Sequence, residues 1–456
     1  MLVVLLRLAV FALTVGAKEN YFRFKVYWAA PTTECIEDHR VTLPLGDYDI
    51  VHNEKQRIIG NQVVFFYEDS HGLWPSLRDT RVHNGGVPQM GNLTEHLRIL
   101  RLDILRDIPD KEFDGPAVLV LESWQPRYHF ISDIYRSYSV SNEVYKARYW
   151  ENRNLTVPEA TDRARRAFNV ASKQWMTKTL EMCRALRPKA KWGYYGYPLC
   201  TYNEAETKAQ YQNVKARAWF GSQDVFKCGK SSSSADFAWL YEASSALFPT
   251  IFASDWYDPL IRTFQEREAW RQKSDREISE LIAPEMNMLR IAAALNETRR
   301  IQKSLRNPRT PIYSISKFEY QFYDTAPFYS TRDLGNSLRI SSDFGAKGTL
   351  VWSPRKRQTV DRCLRMDDHI KRTSGAYFLL AQTRNEQCSS QLCHDHGTCI
   401  RKTPINDCTM LLNFRDYKCE CDIGYTGKWC EDNKNEGDLG AAAVTTALDD
   451  NDNWDS

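Results

Sequence analysis

The stretch Gly115-Pro-Ala-Val-Leu-Val-Leu-Glu-Ser-Trp-Gln-Pro-Arg-Tyr128 closes an apolar run with a glutamate and follows it with a polar, aromatic segment. Read as a strand over 117–123, it sends alternate side chains to opposite faces, so Val118, Val120 and Glu122 share one side and Leu119 and Leu121 the other. Glu122 is then the lone charge among buried apolar neighbours, at the C-terminal end of the strand. A carboxyl group in such surroundings resists ionising, keeps its proton toward neutral pH and can give it to a leaving oxygen. The competing reading is a plain ion pair with Arg127. His394 and His396 stand beside several thiols, but oxidised cysteines are poor ligands, so no metal and no cofactor is expected.

Other elements must hold that glutamate in place. Strand-length apolar and β-branched runs at 63–67, 117–123, 192–197, 250–253, 312–315 and 348–352 alternate with helix-period stretches. Thr156-Val-Pro-Glu159 supplies a capping residue, an early proline and a glutamate three positions on, which predicts a helix start. Ala164, Phe168, Ala171, Trp175, Leu180, Cys183 and Leu186 then mark one buried helical face up to Pro188. Strand, helix, strand in repetition predicts a parallel α/β sheet with crossover helices, either a barrel or a doubly wound sheet. Parallel barrels place their chemistry at the C-terminal ends of the strands, where Glu122 falls. No glycine-rich phosphate loop opens a helix, which excludes the common nucleotide-binding designs.

Residues 1–17 form an apolar stretch ending in small residues before Lys18, the pattern of a secretory signal. No later segment approaches the about 20 apolar residues that a membrane span needs. Twelve cysteines and sequons at Asn92, Asn154 and Asn296 agree with an oxidising route, ending outside the cell or in a lysosome. The net charge of +3 hides an asymmetry: from Glu431 onward eight acids face Lys434 alone, a net of −7, so the rest of the chain carries +10. A modestly basic body suits a polyanion, and the secretory features favour a polysaccharide over a nucleic acid.

From Cys388 the spacing is C-x4-C-x5-C-x19-C-x-C-x8-C, closing with Cys419-Glu-Cys-Asp-Ile-Gly-Tyr-Thr-Gly-Lys-Trp-Cys430. This resembles an EGF-like module, and the resemblance implies pairs Cys388 with Cys399, Cys393 with Cys419, and Cys421 with Cys430. The expected organisation is a signal at 1–17, a main domain at 18–375, the module at 376–432 and an acidic, disordered tail at 433–456. A purely adhesive role for the module finds no RGD tripeptide or clear calcium signature to support it.

Over nearly the whole mature chain the sequence resembles the hyaluronidase family of glycoside hydrolases. The resemblance rests on Val26-Tyr-Trp, Trp124-Gln-Pro-Arg127, Arg184-Ala-Leu-Arg-Pro188, Trp192-Gly-Tyr-Tyr-Gly-Tyr-Pro198, Tyr323-Asp-Thr325 and Gly348-Thr-Leu-Val-Trp352, in family order. It implies an α/β fold, a distorted TIM-like (β/α) barrel carrying the small disulfide-rich module, with bonds Cys35 to Cys363 and Cys200 to Cys228. Cys183 and Cys408 are left over. It also implies cleavage of β-1,4 links after N-acetylhexosamine with retention, the sugar's own acetamido oxygen acting as nucleophile and Glu122 as the acid. Tyr67, Arg127, Tyr195, Phe252, Asp324 and Trp352 align with substrate-contacting positions. The family's acetamido-orienting aspartate is Val120 here, its neighbouring tryptophan is Leu121, and Phe252 stands where the family has a tyrosine. Two functions fit these residues: a secreted hydrolase of hyaluronan or chondroitin, or a glycosaminoglycan-binding protein weakened in catalysis by Val120.

Overall fold

The computed structural model describes residues 23–78, 81–201, 228, 234–255, 272–321, 323, 325–355, 357–402 and 410–433. The expected signal, Asp324, Cys408 and the tail beyond 433 lie outside the described residues. The strands are β1 Lys25–Ala29, β2 Val64–Tyr67, β3 Ser76–Arg78, β4 Arg81–His83, β5 Pro116–Val120, β6 Lys191–Tyr194, β7 Tyr313–Ser316 and β8 Gly348–Trp352, followed near the C-terminus by β9 Gly397–Arg401 and β10 Tyr417–Cys421. The longer helices are α1 Leu93–Asp107, α2 Asp133–Tyr149, α3 Val157–Leu186, α4 Asp275–Ser304, α5 Thr331–Asp343, α6 Val360–His369 and α7 Gly375–Cys393.

Two parallel three-stranded sheets, in the orders β2-β5-β6 and β1-β8-β7, carry the fold. The segment 247–251 bridges them: Gly196 N donates to Phe248 O, and Tyr313 N donates to Leu247 O at 2.9 Å. This segment stands in for the strand expected at 250–253, which does not form as a strand. Pro249 has no N–H to give the ladder, so pairing there is reduced to isolated bridges at Leu247, Phe248 and Thr250. On the far side β1 forms an isolated bridge with Val51, and among the described residues no ladder joins that edge to β2. The result is a barrel-like parallel α/β sheet that stays open along one seam.

The strands curve around a shared interior. Tyr27 and Ala29 of β1, Phe65 and Tyr67 of β2, Val118 and Val120 of β5, Tyr313 and Ile315 of β7, and Leu350 and Trp352 of β8 form one buried cluster. The alternate residues Val26, Trp28, Val64, Phe66, Ala117, Leu119, Trp192 and Tyr194 face outward into a second cluster with the helices. Gly193 belongs to the tight inner wall, because a Cβ there would lie 2.3 Å from the Ala246 carbonyl oxygen.

Helix α3 begins where the sequence predicts. Thr156 accepts from Glu159 N, while the Glu159 carboxylate accepts from Thr156 N at 2.8 Å. Its face of Ala164, Phe168, Trp175, Leu180 and Cys183 is buried against the sheet. The five pairs Cys35–Cys363, Cys200–Cys228, Cys388–Cys399, Cys393–Cys419 and Cys421–Cys430 are all bonded. Cys183 is a free, buried thiol. Position 375, where the main domain was expected to end, lies inside a continuous helical run: α6 passes through one π turn, Ile370–Ser374, directly into α7, which goes on to carry Cys388 and Cys393. Its Gln382 accepts from Val26 N at 3.1 Å, which caps a β1 backbone group from the C-terminal segment. No helix among the described residues is long and apolar enough to cross a membrane.

Candidate active site

Strands β2, β5, β6 and β8 end at one mouth, and the residues just past their ends form the candidate site. Strand β5 stops at Val120, three residues before the expected end at Ser123, so Glu122 sits on the loop beyond it. There it is exposed and lines a cleft of about 270 Å³ together with Tyr67, Glu68, Asp69, Arg78 and Val120. The sequence expectation of a buried carboxyl among apolar neighbours is corrected to one at an open mouth, because the chain turns out of the sheet before reaching it. Crowding by the cleft walls, and then repulsion from Asp69, still hold the Glu122 carboxyl above its ordinary range.

The loop that carries Glu122 is fixed at several points. The Glu68 carboxylate accepts from Ser123 N at 3.0 Å and from Ser123 Oγ at 2.7 Å. Glu68 N in turn donates to Val120 O at 3.1 Å, tying the exits of β2 and β5 together. Two residues past the acid, Trp124 Nε1 donates to Pro75 O at 2.8 Å, and Tyr128 N donates to Asn169 of α3 at 2.8 Å.

An aromatic wall faces the acid. Trp352 Nε1 donates to Tyr67 Oη at 2.9 Å, and the Phe252 ring lies nearly parallel to Trp352 with centroids 5.9 Å apart. Tyr195 packs 5.3 Å from Trp352 and 6.4 Å from Phe252. Burial pushes the Tyr67 phenol up to about 12, and burial with the nearby Glu122 charge raises that of Tyr195 further. Both phenols therefore remain neutral donors under any ordinary condition. Lys317 Nζ sits 4.9 Å from the Phe252 ring centroid, with desolvation lowering its ammonium to about 8.

Arg127 is not brought to the cleft. Its guanidinium pairs with Asp236, at 3.0 Å to the backbone oxygen and 3.2 Å to the carboxylate, and it lines a separate pocket with His129, Phe130, Arg165, Arg166 and Asn169. Thus neither the ion pair Arg127–Glu122 nor a place for Arg127 beside Glu122 is found. The turn after Trp124 carries it away toward α3.

Residues that sequence reasoning passed over complete the site. Glu68 and Asp69 follow β2 directly, and Arg355 lies three residues past β8. Arg355 pairs with Asp69, donates to Ser70 Oγ at 2.9 Å and stacks 4.1 Å from the Tyr67 ring centroid. The available signal was position: charged residues immediately after a buried strand that shares its C-terminal end with β5.

A family model described as hyaluronidase matches residues 18–267 and 278–437. The chain belongs to the hyaluronidase family. Among its relatives, a Caenorhabditis elegans protein named chondroitin hydrolase is 27% identical over 417 residues, covering 90% of this chain and 80% of that protein. Human (Homo sapiens) Hyaluronidase-1 is 28% identical over 445 residues, covering 90% and 92%. The crystal structure of bee venom hyaluronidase superposes with a TM-score of 0.60 at 25% identity, over 78% of this chain and 99% of that one. The same enzyme solved with a hyaluronic acid tetramer gives a TM-score of 0.60 at 26% identity, over 78% and 98%. At the cleft, Val120 is 2% exposed and presents an apolar side chain to its lining.

Proposed function

We propose that this chain is a secreted endo-β-N-acetylhexosaminidase that hydrolyses β-1,4 links of hyaluronan, chondroitin or both. The observation that carries the reading is Glu122 at the strand mouth, its carboxyl kept above the ordinary range in a cleft it lines with Tyr67, behind which Trp352, Tyr195 and Phe252 pack on one another. Family membership supports glycoside hydrolysis. The relatives' names and the tetramer bound by the bee enzyme support a glycosaminoglycan substrate. The five disulfides among the described residues fit an extracellular or lysosomal life. Asn92, Asn154 and Asn296 are all exposed, as glycan acceptors would have to be.

In the proposed reaction an apolar sugar face rests on the aromatic wall, and Glu122 gives its proton to the bridging oxygen as the glycosidic bond breaks. The acetamido oxygen of the same sugar bonds to the anomeric carbon from the opposite face. Glu122, now ionised, takes a proton from water, whose oxygen opens the cyclic intermediate and restores the original configuration. Arg78 and Arg355 at the rim give a polyanionic chain a cationic edge to lie along.

One observation favours a second reading. Val120 cannot accept a hydrogen bond or offset positive charge, which fits a protein that binds glycosaminoglycan and turns it over poorly. Product formation on hyaluronan and on unsulfated chondroitin, side by side, separates the two. Saturated even-numbered oligosaccharides from either polymer establish the hydrolase, whereas tight binding without products leaves a binding protein. The raised Glu122 carboxyl adds a pH expectation: the acid works below its own pKa, so activity falls on the alkaline side with an apparent pKa above about 4.3, the value of an unperturbed glutamate. A profile that falls at or below that value removes the crowding of Glu122 from the mechanism.

A further inference from the structure

Three carboxylates reach the candidate cleft, and they are not equivalent. Glu68 is committed to the Ser123 backbone and hydroxyl, so it acts as a positioning residue for the loop that carries Glu122. Asp69 is exposed, lines the same cleft as Glu122, and leaves β2 beside the strand from which Glu122 emerges, since Tyr67 and Val120 are register partners. Its position is set by a relay of contacts. Arg355 pairs with Asp69 and stacks on Tyr67, and Tyr67 accepts from Trp352. The anion is therefore tied to the wall on which a sugar would rest.

We propose that Asp69 is the anionic partner of Glu122, supplying the fixed negative charge that stabilises positive charge developing on the sugar as the glycosidic bond breaks. This rests on the hydrolase reading above. Glycoside cleavage passes through an oxocarbenium-like state, and a preorganised opposite charge in a cleft is worth far more than one in bulk water. The electrostatics point the same way. Desolvation pushes the Asp69 carboxyl up, but Arg355, Ser70 and Arg78 outweigh it and hold the group below its ordinary range. Glu122 is pushed the other way, by desolvation and then by Asp69 itself. Two carboxyl groups whose environments drive them apart are a protonated acid and an ionised partner over the same pH window. Val120, the last residue of β5 and two positions before the acid, cannot take that part.

The test compares the unmutated protein with Asp69→Asn and Asp69→Glu on unsulfated chondroitin and hyaluronan, with kcat and KM measured separately from about pH 4 to 7. Asp69→Asn should lower kcat by about 10²-fold or more while KM moves by less than about threefold. Its alkaline limb should shift to lower pH, because Glu122 loses the neighbour that raises it. Asp69→Glu, which keeps the charge, should retain most of the turnover. Should Asp69→Asn lose its cooperative melt, Arg355→Gln serves instead: both carboxylates remain, Asp69 loses the cation that holds it ionised, and the acidic limb should move to higher pH. An unchanged kcat and profile in Asp69→Asn, a loss confined to KM, or an unmoved acidic limb in Arg355→Gln each overturns the pairing alone. Failure of the unmutated protein to release any product overturns the hydrolase reading and this inference together.

Discussion

Glu122→Gln removes product release from hyaluronan and chondroitin by about 10²–10⁴-fold, the range that a positioned acid contributes, and leaves the fold intact. The amide keeps the shape of the side chain and loses the proton that the leaving oxygen needs. Because Glu122 is exposed at the strand mouth and the bonds that hold its loop run through Ser123, Trp124 and Tyr128, the change removes no anchoring contact. The thermal midpoint should accordingly stay within the spread of surface substitutions, about 0.5 kcal/mol in stability. Binding of the polymer should persist, measured on the same preparation by calorimetry. Full turnover in Glu122→Gln would exclude Glu122 as the acid, whatever the identity of the substrate.

The second large effect is on stability and lies far from the cleft. Asp343, at the end of α5, is wholly buried and faces cations from three elements. Arg384 of α7 donates to its Oδ1 at 2.9 Å, Arg339 of α5 lies 3.6 Å away, and Arg401 of β9 lies 3.7 Å away. Tyr417 of β10 adds a phenolic donor at 2.7 Å. Asp343→Ala strands Arg339 and Arg384 in the interior without the carboxylate they face, and breaking a buried pair from one side costs about 3–5 kcal/mol. A urea titration followed by far-UV signal should show the midpoint falling by a corresponding amount with little change in slope. A midpoint shift under about 1 kcal/mol would mean that water or a rearranged Arg384 satisfies the cations.

How much of this was legible beforehand depends on whether the signal was local. The α3 start could be read from Thr156-Val-Pro-Glu159, since a capping box is made within four consecutive residues. The inward face of β5 followed from simple alternation, and Val118 and Val120 do share the inner cluster. Local pattern failed where a backbone detail or a distant partner decides. Pro249 cut an apolar run down to isolated bridges, and the turn after Val120 took Glu122 out of the strand before the sequence suggested. Arg127 looked like a neighbour of Glu122 because it is five residues away, yet its partner Asp236 comes from more than a hundred residues later. Asp69 and Arg355, 286 residues apart, meet only because β2 and β8 empty into the same mouth, and no single window of sequence holds both.

Helix α7 has a consequence for how the molecule can be divided. It continues α6 through one π turn across the residue where the main domain was expected to close, caps β1 through Gln382, holds Arg384 against Asp343, and carries two bonded cysteines. A protease nick or an engineered stop at that residue would therefore not yield two self-sufficient bodies. The larger fragment would lose the group that satisfies Val26 N, keep Arg339 and Asp343 without Arg384, and bare the surface that Phe378 and Ala381 now cover. Exchange of the cysteine-rich end for another would meet the same obstacle, because the contacts of Gln382 and Arg384 with the rest of the fold would have to be rebuilt.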